Sequence, residues 1–120
     1  MRDHTSLRAW QEAREISIGV IRLARSSWKP YAAALFSQLQ RASLSIQLNI
    51  AEGYTSGDSP TFTKHLGIAY GSAVETGELL RLALDTELIG VESLKALIER
   101  TQETERILLG MLKHRRKFKA

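Results

Sequence analysis

The chain of 120 residues carries 17 Lys or Arg against 13 Asp or Glu, two prolines and no cysteine; it is long enough for one hydrophobic core, and it excludes a disulfide framework, a thiol nucleophile and a zinc-thiolate site. Five of the basic residues and none of the acids fall in residues 113–120, so the formal charge of +4 belongs to the C-terminal tail and the rest is close to neutral. No apolar run has the length of a signal-peptide core or a membrane span, which sets the expectation of a cytoplasmic protein with no membrane partner.

In chain order, a first helix is expected to start after Thr5 or Ser6 and to run to about Ser27, with Ala13, Ile16, Val20, Leu23 and Ala24 on one face and Trp10 and Ile21 widening it. Pro30 biases the residue before it out of the helical region, so this helix ends by Trp28. A second helix, from about Tyr31 to Glu52, places Leu35, Leu39, Ala42, Ile46, Ile50 and Gly53 on a core stripe, with Gly53 as a left-handed closing residue. Beside that stripe runs a polar file of Gln38, Arg41, Ser45, Asn49 and Glu52, while Leu44 and Leu48 lie on the opposite side. Those leucines read equally as scattered surface residues or as a subunit contact.

The stretch from Tyr54 to Ser59 reads as a helix connection, since it lacks the spacing and lysine of a phosphate loop. Ser59 is expected to cap a third helix, from Pro60 to about Thr86. That helix carries two apolar stripes, Phe62, Leu66, Ala69, Ala73, Leu80 and Leu84 on one side and Ile68, Leu79 and Leu82 on the other, so it packs on two sides. Gly67, Gly71 and Gly77 each cost up to about 1 kcal/mol relative to alanine in a helix, and close approach of a neighbouring backbone is the expected return. A short loop makes helices two and three an antiparallel pair, and an Arg41–Glu75 ion pair with Ser45, Asn49 and Ser72 as hydrogen-bonding neighbours is expected to fix their register. After Gly90 a last helix runs from about Glu92 to Arg115, with Thr101 and Thr104 among its core positions and their hydroxyls turned to their own backbone.

Four amphipathic segments with short connections predict an all-α, antiparallel up-down-up-down four-helix bundle over residues 1–112, followed by a basic tail over 113–120. Apolar residues outside the core faces, namely Leu44, Leu48, Ile68, Leu79 and Leu82, point to a cyclic homo-oligomer. No Glu has a His three residues on, and His4, His65 and His114 are scattered, so neither a metal nor another cofactor is expected. No catalytic residue and no small-molecule substrate is evident either; the different-class alternative is an enzyme using Glu52 and Glu75 at a subunit cleft. The tail, Lys113, Arg115, Arg116, Lys117 and Lys119 with Phe118 interleaved, reads either as a nucleic-acid contact or as a solvated end.

Three stretches, L-R-A-W-Q-E-A-R-E, Q-L-Q-R-A-S-L-S-I-Q-L-N-I-A-E-G and H-L-G-I-A-Y-G-S-A-V-E-T, resemble in this order and spacing the four-helix-bundle proteins of the 23S rRNA-intervening-sequence family. The resemblance covers roughly residues 7 to 90. It implies an antiparallel bundle assembled into a homopentamer, with no established catalytic activity; the expectation that goes with it is a scaffold or binding module whose candidate partner is RNA or another nucleic acid. The family motif falls on Arg41, Ser45, Ile46, Asn49, Ile50, Ala51, Glu52 and Gly53, and on Gly71, Ser72 and Glu75. This chain departs from the pattern at Tyr70, where members often carry Arg, and it lacks the basic residue often found soon after the helix-two glycine.

Overall fold

A computed structural model describes residues 3–119, with side chains through residue 115. Four helices make up the chain: α1 (Arg8–Ser27), α2 (Ala33–Thr55), α3 (Pro60–Asp85) and α4 (Val91–Lys119), with single 3-10 turns at His4–Ser6 and Pro30–Ala32. No strand occurs among the described residues. Each helix packs on its successor, and α1 also packs on α4, which closes the four around one core.

The helix ends differ from the sequence expectation in instructive ways. At the start, Asp3 Oδ1 accepts from the Thr5 amide at 3.0 Å and organises a 3-10 turn, so α1 begins only at Arg8. Lys29 is extended, as its place before Pro30 requires, and Pro30 and Tyr31 form a second 3-10 turn that delays α2 to Ala33. Gly53 does not close α2. The helix runs through it to Thr55, and the left-handed glycine is Gly57, with φ 69°, in the loop. A Cβ on Gly53 would stand 2.6 Å from His65 Cβ and 3.0 Å from Phe62 Cδ1, so this glycine exists to let α3 approach. Ser59 occupies the N-cap position of α3 without capping through its side chain; the hydroxyl turns to Ser56 Oγ at 3.3 Å. At the other end Glu87, with φ 57°, takes the left-handed position usually given to glycine, and the Leu88 amide reaches back to Ala83 O at 3.1 Å.

The core is formed by Ile16 and Val20 of α1, Phe36, Leu39, Ile46 and Ile50 of α2, Leu66, Ala73 and Leu80 of α3, and Leu94 and Leu108 of α4, all fully buried. Phe36 takes the inner position expected for Leu35, which is half-buried beside it. Thr101 and Thr104 lie in the core and donate to Leu97 O and Arg100 O at 2.7 and 2.9 Å, the predicted way to bury a hydroxyl on a helix. Among the described residues every buried side-chain polar atom has a partner, and no helix is long and apolar enough to cross a membrane.

Candidate functional site

The α2–α3 seam is organised by a polar ladder. His65 Nδ1 lies 2.9 Å from Asn49 Oδ1, the Asn49 amide nitrogen donates to Ser45 O and Ser45 Oγ at 2.9 and 3.1 Å, and Ser45 Oγ lies 2.7 Å from Ser72 Oγ. Asn49 uses its nitrogen on Ser45, so its oxygen faces His65 and Nδ1 carries the hydrogen, while between Ser45 Oγ and Ser72 Oγ either hydroxyl can donate. One turn on, Gln38 donates to Glu75. The pairs 38–75, 45–72 and 49–65 descend on one helix as they ascend on the other, which makes α2 and α3 antiparallel.

Ser45, Asn49 and Ser72 are thus brought together as expected, and Gly53 lies against the same histidine. The Arg41–Glu75 ion pair is not formed. Gln38 stands seven residues, two full turns, from Ser45 and therefore over the seam, whereas Arg41 stands four residues away, turned toward solvent, and is exposed. In sequence His65 is one of three scattered histidines; its place two turns before Ser72 on the same helix face is the signal that it joins the ladder. Glu52 Oε2 is 4.0 Å from His65 Nδ1, while Glu75 is at the other end of the ladder. Helical rise separates these carboxylates by about 15 Å within one chain, too far for a shared acid–base pair. Among the described residues there is no cluster of three or more His, Cys, Asp or Glu to hold a metal.

Outside the ladder the same two helices expose an apolar face. Leu44 is 39%, Leu48 54%, Ile68 43% and Leu82 52% exposed, whereas Leu79 is half-buried against the chain's own core. At one end this face runs into a groove of about 340 Å³ lined by Tyr31, Leu35, Leu82 and Leu88 among others. The glycines of α3 divide here. Gly77 is buried, and a Cβ there would stand 3.4 Å from Arg81 Nη1 and from Glu105 Oε1, but a Cβ on Gly67 or Gly71 would meet nothing within 4 Å. The close approach expected at those two positions is therefore absent within the chain.

Electrostatic contacts tie α4 to its neighbours. Arg100 pairs with Glu12 at 2.8 Å and Arg8 with Glu103 at 3.1 Å, while Arg106 holds the same Glu103 at 2.7 Å and keeps its carboxyl below the usual range. Burial pushes the Glu105 carboxyl up, against the opposing pull of Arg81 and Arg106. Arg115 is locked into the α2–α3 loop: Nε donates to Thr63 Oγ1 at 2.6 Å, Nη1 to Asp58 Oδ1 at 2.8 Å and Nη2 to Ser59 O at 2.7 Å, and the guanidinium lies 4.6 Å over the Phe62 ring. Lys113 is exposed, α4 continues unbroken past it, and the side chains of Arg116, Lys117 and Lys119 lie outside the described residues.

Comparison with known proteins adds a family and a fold. The signature described as 23S rRNA-intervening sequence protein matches residues 5–110. A crystal structure of a protein with unknown function from the S23 ribosomal protein family, from Bacteroides thetaiotaomicron, superposes with a TM-score of 0.78 at 23% identity, covering 88% of this chain and 98% of that one. Among curated proteins none matches the chain.

Proposed function

The chain belongs to the 23S rRNA-intervening sequence protein family, and from that premise we propose that it is a non-enzymatic, self-associating scaffold: an up-down-up-down bundle that joins copies of itself through the outer face of α2 and α3 and carries RNA on its basic tails. The observation that supports self-association is the pairing of exposed Leu44, Leu48, Ile68 and Leu82 with open glycines at 67 and 71. Two helical glycines without a neighbour cost about 1 kcal/mol each for no return inside the chain. A second helix laid across this face makes use of both, while burying half-exposed side chains worth about 1 kcal/mol or more apiece. A closed ring of five is the stoichiometry that the family resemblance implies, and a head-to-tail contact closes into such a ring by rotation.

In this reading Arg115 anchors the end of α4, and Lys113, Arg116, Lys117 and Lys119 supply the phosphate contacts. Repeating the tail around a ring multiplies a weak contact. The decisive experiment measures the mass of Leu48→Glu combined with Ile68→Glu by light scattering: the double variant falls to a helical monomer. An assembly unchanged in mass excludes this face as the joint. RNA recovered by crosslinking in cells is lost when residues 113–120 are deleted, and undiminished recovery clears the tail.

A further inference from the structure

Most arginines on this surface are engaged: Arg8, Arg81, Arg100, Arg106 and Arg115 all hold carboxylates. Four others, Arg14, Arg22, Arg25 and Arg41, are exposed and in no ion pair among the described residues, and two of these four lie at the corner between α1 and α2. Arg22, Arg25 and Lys29 are exposed, and none of them is in an ion pair among the described residues. Arg22 and Arg25, one turn apart, line one shallow hollow on the outer side of α1. Two aromatic residues alternate with these charges along the chain: Trp28 is 50% and Tyr31 82% exposed, neither is stacked on another ring among the described residues, and Tyr31 lines the adjoining groove together with Glu87. The backbone that carries them is held in one turn, because Lys29 is extended and the Ala32 amide donates to Lys29 O at 3.0 Å.

We infer that this corner is a second nucleic-acid contact, in which Arg22, Arg25 and Lys29 hold successive phosphates of a single strand and Trp28 and Tyr31 stack its bases. Charge complementarity selects an anionic partner, and guanidinium groups suit phosphate oxygens through paired hydrogen bonds. Flat exposed rings select a strand whose bases are unstacked, since a duplex keeps its base faces covered. The site shares none of its residues with the tail. The length of α2 places it about 34 Å from the loop that holds Arg115, at the opposite end of the bundle.

The test titrates the full chain with a fluorescein-labelled 20-nucleotide oligouridylate and follows both anisotropy and tryptophan fluorescence. The wild-type chain binds and its tryptophan emission is quenched; Trp28→Phe removes the quench, which separates it from Trp10. Arg22→Gln with Arg25→Gln weakens binding at least about tenfold at low salt and flattens the log–log salt dependence by about 1.4, two phosphates at about 0.7 each. Trp28→Leu weakens it about fivefold or more. Because all these side chains are exposed, thermal unfolding and assembly mass stay at wild-type values; a corner variant that breaks the assembly overturns the inference. So does an unchanged affinity in the arginine double variant, or binding to phosphatidylserine vesicles in place of the oligonucleotide. Loss of binding on tail neutralisation alone, with the corner variants behaving as wild type, refutes the corner while leaving the tail reading intact.

Discussion

Gly53→Ala is the sharpest perturbation of the α2–α3 seam. In an open helix the change is favourable by about 0.5 to 1 kcal/mol, since alanine loses less backbone freedom. Here the new methyl would stand 2.6 Å from His65 Cβ and 3.0 Å from Phe62 Cδ1. A Cβ cannot swing aside as the end of a flexible side chain can, so the two helices must separate by about 1 Å to restore van der Waals contact. Overpacking of that kind costs about 1 to 3 kcal/mol. Separation also stretches the 2.9 Å contact between His65 and Asn49, a hydrogen bond worth about 0.5 to 1.5 kcal/mol. The losses exceed the gain, and the net destabilisation is about 1 to 3 kcal/mol. Urea unfolding followed by circular dichroism, at one fixed protein concentration, measures it directly. A variant as stable as the wild type, or more stable, refutes the close-approach account of Gly53.

Other substitutions test separate parts of the structure. Asn49→Ala leaves His65 Nδ1 without its partner and removes one of the two partners of the Ser45 hydroxyl, lowering stability by about 1 to 3 kcal/mol; in a double-mutant cycle with His65→Ala the two effects are non-additive, and strict additivity would dissolve the ladder. For Glu105, whose carboxyl is pushed up by burial, the folded state holds the proton more tightly than the unfolded one, so stability falls as pH rises from the ordinary carboxylate range to the raised value. Glu105→Gln removes that fall, and parallel urea midpoints for the two proteins across the acid range contradict it. Arg115→Ala releases the end of α4 from Asp58, Ser59 and Thr63, and Arg115→Lys does not restore it, because one ammonium cannot reproduce the three-way fork. Hydrogen exchange in the last two turns of α4 rises in both variants, and unchanged protection shows that the clasp holds nothing.

Much of this architecture is readable from the sequence, and the misses have physical reasons. Periodicity located all four helices because each carries a continuous apolar stripe, yet it started the first just after Thr5 or Ser6 and the second near Tyr31, where 3-10 turns use the neighbouring residues with a tighter bond pattern. Gly53 was assigned a closing role because glycine at the end of an apolar stripe is ambiguous between a terminator and a contact; only the position of His65 across the seam distinguishes them. Ser45, Asn49 and Ser72 were legible as a group from spacing alone. The choice of Gln38 over Arg41 as the partner of Glu75 was not, since a rotation of about 60° around α2 decides it and charge argues the other way. Arg115 looked like one more member of a basic tail; its engagement with Asp58 depends on how far α4 reaches past the loop, and no local pattern reports that.

The central proposal, that the open face of α2 and α3 joins copies of this chain, is tested most directly by the solution mass of the full protein, measured by light scattering over a range of micromolar concentrations. The account predicts an integral multiple of the 13.5 kDa chain mass, five times that value for the ring. A mass of 13.5 kDa throughout that range contradicts it, and leaves Gly67 and Gly71 without a physical reason in this fold.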